Sequence, residues 1–174
     1  MQDDHNAGSI YHHRYHSILE RNQGVVIVSL RPELLDPLID AAIILEHQAE
    51  RHVSINRIIK IVLTTAMEQV ETGPKEETRI QIFKNLVERG LNQCNTKDKR
   101  GHHLVEMERD LANLFFDIAF RCRSHGDVDQ LATLLFEGML VQDTQDWSEF
   151  EIRKRALDIA YDFASRHENT QLDE

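Results

Sequence analysis

A chain of 174 residues with 41% hydrophobic and 29% charged side chains, seven glycines and three prolines is long enough for one domain or two small ones. That balance excludes collagen-like, low-complexity and largely disordered classes. Thirty acids against twenty bases leave a net charge of −10, weighted as −3 over residues 1–70 and −7 over 71–174, so a nucleic-acid contact would need a local basic surface.

Residues 1–23 are polar, with a Tyr11, His12, His13, Tyr15, His16 cluster, and predict an arm. Gly24 opens the clearest strand signal, the β-branched run Val25-Val26-Ile27-Val28-Ser29-Leu30, which Arg31-Pro32 ends. Asp36-Pro37 predicts the cap and first turn of a helix running to about Arg51. Ser54 caps a second helix in which Ile55, Ile58, Ile59, Ile61, Val62, Leu63, Ala66 and Val70 leave almost no polar face, so it must be buried from several sides. The stretch from Glu71 through Gly73-Pro74 to Glu77 reads as a linker.

Four helical patterns follow, at about 76–93, 103–124, 128–141 and 149–167, and suggest an up-and-down bundle. Ser148 with Glu151 predicts a capping box for the last, and His125-Gly126-Asp127 predicts a stop and a new cap. No internal repeat is evident. One strand cannot satisfy its own ladder, so two copies pairing their strands antiparallel is the economical expectation.

Residues 24–71 resemble the ribbon-helix-helix superfamily of Arc/MetJ-type DNA-binding proteins. The likeness rests on Val26-Ile27-Val28-Ser29-Leu30, Pro32-Glu33-Leu34-Leu35 and Val53-Ser54-Ile55-Asn56-Arg57-Ile58-Ile59. It implies an N-terminal ribbon-helix-helix dimer of one strand and two helices per chain; with the helical patterns that follow, the fold expected is mainly α, with a C-terminal bundle of about four helices. The divisions expected are an arm at 1–23, the dimerisation and DNA-binding domain at 24–71, a linker at 72–76, a helical oligomerisation or partner-binding domain at 77–168 and a tail at 169–174. Val26, Val28, Leu30, Ile58, Ile59 and Val62 would form the dimer core. Val25, Ile27 and Ser29 would face the bases of the major groove, and Arg31, Ser54, Asn56, Arg57, Arg14 and Arg21 would meet phosphates.

Two functions follow as expectations. The first is a dimeric DNA-binding regulator or accessory factor in transcriptional, plasmid, phage or conjugation control, bound to double-stranded DNA. The second is a protein-interaction adaptor that keeps the fold for dimerisation without base readout, favoured by the aliphatic Val25 and Ile27 and by the net charge. Homodimers or higher oligomers, and a protein partner on the C-terminal helices, are expected with either.

The remaining clusters carry little chemistry. His12, His13 and His16, Cys94 with His102 and His103, and Cys122 with His125 match no recognised zinc spacing, so no metal and no cofactor are expected. The basic runs Lys97 to His103 and Arg153-Lys154-Arg155 read as solvated surface. Nucleotide-loop, nucleophile-elbow and metalloprotease motifs are missing, and an enzyme is not expected. Two cysteines without CxxC spacing, no leader pattern and no apolar run near ~20 residues point to a cytoplasmic protein without membrane contact.

Overall fold

The computed structural model describes residues 24–93, 100–141 and 148–167. It is mainly helical, with a two-stranded antiparallel sheet. Among the described residues the elements in chain order are β1 (Val25–Leu30), α1 (Pro32–Ala49), α2 (Ile55–Glu71), α3 (Glu76–Gln93), β2 (Arg100–Glu106), α4 (Arg109–Arg121), α5 (Val128–Leu140) and α6 (Glu149–Arg166), with a 3-10 turn at Arg123–His125.

β1 alternates as its β-branched run requires, with Val26, Val28 and Leu30 buried beneath the sheet. Its ladder is completed inside the chain. β2 pairs with it antiparallel, Val26 opposite Val105, Ile27 opposite Leu104 and Val28 opposite His103. This corrects two expectations, that β1 awaits the strand of a second copy and that residues from 103 onward are helical. Leu104, Met107 and Leu111 do have helical spacing, but Val105 and Met107 face inward while Leu104 and Glu106 face outward, which is the alternation of a strand.

The other edge of β1 is also occupied. The Ile27 N–H donates to Asp129 Oδ1 and the Ser29 N–H to Thr133 Oγ1, each at 3.0 Å, both acceptors lying on α5. On the far edge of β2, Asn56 Nδ2 of α2 donates to the Leu104 carbonyl at 3.0 Å. Among the described residues, β1 therefore has its ladder on one side and α5 on the other, without a second copy of the chain.

A repeat invisible in the residue pattern emerges here. Strand-helix-helix occurs twice, as β1-α1-α2 and β2-α4-α5. Ile27 and Leu104 face each other at the centre of the pairing, and each lies five residues before the first residue of its following helix. Asn56 and Asp129 are each the second residue of their helix, and each closes the edge of the other half's strand. The two second helices, α2 and α5, are buried nearly all round and pack on one another. The six residues read as a dimer core, Val26, Val28, Leu30, Ile58, Ile59 and Val62, are all buried within this one chain.

Local signals set the helix ends. Ser54 caps α2 by accepting the Arg57 N–H at 3.1 Å, and Ser148 accepts from the Glu151 N–H at 3.3 Å. Asp127 and Gln130 form a reciprocal capping box on α5. α1 begins five residues earlier than expected for a helix whose first residue is Pro37. Pro32 occupies its first turn, where a missing N–H costs nothing, and Pro37 is carried inside the helix. α1 ends in a left-handed residue, Glu50, at φ 58°. A side chain in that conformation is crowded by its own backbone, so Glu50→Gly is expected to stabilise the chain by roughly 1 kcal/mol, read as a higher urea midpoint at unchanged slope.

α3 follows α2 after a turn in which Arg79 Nε donates to the Gly73 carbonyl. It crosses α5 at Gly90 and Gly138, while α6 lies on α1 and α2. The later helices therefore pack onto the strand-helix-helix units, and one continuous hydrophobic core runs from Val26 to Phe163. At the end of α6, Arg166 Nη1 and His167 Nε2 hold Glu68 of α2 at 2.6 and 2.7 Å. No helix among the described residues is long and apolar enough to cross a membrane.

Candidate functional site

The outer face of the ribbon is built by alternation. With Val26, Val28 and Val105 turned inward, the side chains left outside are Val25, Ile27 and Ser29 from β1 and His102, Leu104 and Glu106 from β2. Val25 is nearly covered, Ile27 and Ser29 are half-buried, and Leu104 at the centre is 60% exposed. Ser29 Oγ and His102 Nδ1 share a 2.8 Å hydrogen bond across the strands. The three residues read as groove-facing do share this face, and β2 supplies its other half.

The residues read as phosphate contacts are placed differently. Arg31 is 3% exposed and turned inward, its Nε 3.3 Å from Oε2 of the fully buried Glu137 on α5. Arg57 is buried as well. The Ser54 hydroxyl is engaged by its own helix, and Asn56 spans to β2, donating to Leu104 and accepting from His103 Nδ1 at 2.8 Å. Arg14 and Arg21 lie outside the described residues, as do His12, His13, His16 and Cys94.

Two helix N-termini flank the ribbon, and they differ in charge. Beside β2, the start of α2 opens into a cleft lined by Ser54, Asn56, the largely buried Arg57, Lys60, Leu104, Val105 and Glu106. Beside β1, the start of α5 carries Asp127 and Asp129. Acids here satisfy the helix dipole internally. Asp129, Thr133, Lys60 and the outer residues of β2 had escaped the sequence reading. The Asp127 cap was legible, but Gln130 as its reciprocal partner was not, and the place of this cap beside β1 depends on the tertiary pairing.

His103 lies under the ribbon, half-buried. Burial first, and then the neighbouring His102, hold its pKa below the usual 6.5. The unfolded chain therefore takes up the proton more readily than the folded one, so stability is full above about pH 6.5 and declines as pH falls through the lower folded value. The urea midpoint is expected to drop between roughly pH 7 and 5, and His103→Gln to flatten that dependence. An unchanged slope in the variant would assign the effect elsewhere.

The other clusters have mundane environments. No group of three or more His, Cys, Asp or Glu suited to a metal occurs among the described residues. Cys122 is buried, which raises its thiol pKa. Arg153 lies over the Phe150 ring, Lys154 meets Asp158 at 4.0 Å, and Arg155 donates to the Met139 carbonyl at 3.0 Å, so the basic run is dispersed. Comparison with family models, with curated proteins and with solved structures gives no match.

Proposed function

We propose that this protein is an interaction adaptor, a single-chain counterpart of the ribbon-helix-helix dimer whose ribbon face docks another protein. The observation that carries the reading is the chemistry of that face. Ile27 and Leu104 form its centre, Glu106 lies on it, and none of the six described side chains on it is Lys or Arg. Base readout relies on hydrogen-bonding side chains such as Arg, Lys, Asn or Gln, and phosphate anchoring on accessible cations. Here Arg31 and Arg57 are buried and Asn56 holds β2. With both edges of β1 occupied, a partner cannot add a strand there, and the apolar centre favours one that lies across the ribbon.

The competing reading, a DNA-binding regulator, draws on one specific observation: Arg57, Lys60 and the N-terminus of α2 line a cleft beside the ribbon. One experiment separates the two. The full-length chain and its Leu104→Lys variant are panned against a displayed peptide library and, in parallel, against random DNA fragments. Peptides that bind the parent and are lost on Leu104→Lys support the adaptor. Enrichment of a repeated DNA half-site, with steeply salt-dependent affinity retained by the variant, overturns it. Peptide binding indifferent to Leu104 also overturns it.

A further inference from the structure

α1 has an apolar face that its own core does not use. The core takes Leu34, Leu38, Ala41, Ala42 and Leu45. Flanking that stripe, with its centre about 120° round the axis, Leu35, Ile39 and Ile43 recur every fourth residue and form one ridge along the helix. Leu35 is 36% exposed, Ile39 is half-buried and Ile43 is 60% exposed. Single exposed apolar residues are ordinary on a protein surface, but three in register on one helix form a contact stripe.

The charges on the helix that carries that ridge are predominantly acidic, with Arg51 just beyond its end. From Pro32 to Glu50 the chain carries five acids and no Lys or Arg. Asp36 and Asp40 are exposed along one side of the ridge, Glu33 is exposed at the start of the helix, and Glu46 and Glu50 extend the acidic run toward the helix C-terminus. There Ile43 forms one wall of an open cleft with Glu46, His47, Glu50, Arg51 and His52. The Glu46 carboxylate accepts the Val53 N–H at 3.0 Å and lies 2.9 Å from His52 Nδ1, and these contacts hold its pKa below the usual range. The carbonyl end of the helix adds partial negative charge at the same place.

We infer that the outward face of α1 docks a partner helix bearing an apolar stripe flanked by lysine or arginine. The stripe supplies the area, and the acidic flank selects the sign of the partner's charge and excludes like-charged surfaces. A second copy of this face is a poor occupant for that reason, since its acids would confront their own kind. The site is separate from the ribbon, so the inference goes beyond the adaptor reading and does not depend on it. Two docking faces on one chain would allow it to bridge two partners.

The test uses the full-length chain and two labelled helical peptides as probes. Both carry leucines at every fourth position; one has lysines beside the leucines and its twin has glutamates. Fluorescence anisotropy is expected to show binding of the lysine probe only, weakening as salt rises. Ile43→Ser is expected to weaken it about tenfold, as one lost apolar anchor should. Asp36→Lys combined with Asp40→Lys should weaken the lysine probe and admit the glutamate probe. Both substituted sites are exposed, and circular dichroism with the urea midpoint confirms that each variant is folded. Leu104→Lys should leave this binding unchanged, which separates failure here from failure at the ribbon. Equal binding of the two probes, indifference to Ile43→Ser, loss on Leu104→Lys, or a dimer of the chain that dissolves on Ile43→Ser would each overturn the assignment.

Discussion

Gly138→Ala is expected to destabilise the protein by about 3 kcal/mol, although alanine is the better helix former by roughly 1 kcal/mol. Gly138 on α5 and Gly90 on α3 mark the point where those helices cross. A Cβ on Gly138 would overlap the Leu86 carbonyl oxygen, and one on Gly90 would overlap that of Leu134. Both obstacles are helix backbone, which cannot rotate aside as a side chain can. The helices would have to separate, and the contacts on both sides of the crossing would loosen together. Because one separation relieves both clashes, Gly90→Ala added to Gly138→Ala should cost less than the two single effects together. Urea denaturation of the two singles and the double measures this directly, and strict additivity would show that the two sites do not share one gap.

The second large effect is expected at the buried pair of Arg31 and Glu137. Glu137→Leu alone should cost about 3–5 kcal/mol, because it leaves the guanidinium enclosed without its carboxylate. Arg31 is 3% exposed and Glu137 fully buried, with Nε and Oε2 3.3 Å apart. Pairing Glu137→Leu with Arg31→Met removes both charges and keeps most of the volume. That double variant should recover to near the parent or exceed it, since neither ion then has to be taken out of water. A double as unstable as the worse single would show that the pair matters through shape or through its other polar contacts rather than through charge. The same pair binds the end of β1 to α5, and so joins the two strand-helix-helix units.

The elements with strong local signals were legible before any tertiary information. The β-branched run of Val25 to Leu30 forms a strand, Ser54 caps α2 and Asp127 caps α5, while the ranges read for α3, α5 and α6 agree closely with those observed. β2 was not legible, because Gly101-His102-His103 has little strand propensity and Leu104, Met107 and Leu111 satisfy a helical period. It becomes a strand because β1 offers a ladder and a floor beneath Val105. The start of α1 was ambiguous for a comparable reason. Asp36-Pro37 and Arg31-Pro32 both suit a helix entry, and the reversal at the end of β1 selects the earlier one.

What the sequence alone determined is therefore local: which segments are amphipathic, where caps and turns stop them, and that Val26, Val28 and Leu30 share a buried face. Only the tertiary structure decided what completes the ribbon and which side chains remain at its surface. The hydrogen bonds that close β1 reach residues 102 and 104 positions away in the chain, and its strand partner lies beyond three intervening helices. Periodicity reports the face a residue prefers but not the partner that satisfies its backbone, nor whether an arginine beside a strand meets solvent or a buried glutamate. Those outcomes depend on distant groups arriving together in space, and here they turn a strand suited to pairing with a second copy into one half of a ribbon made by a single chain.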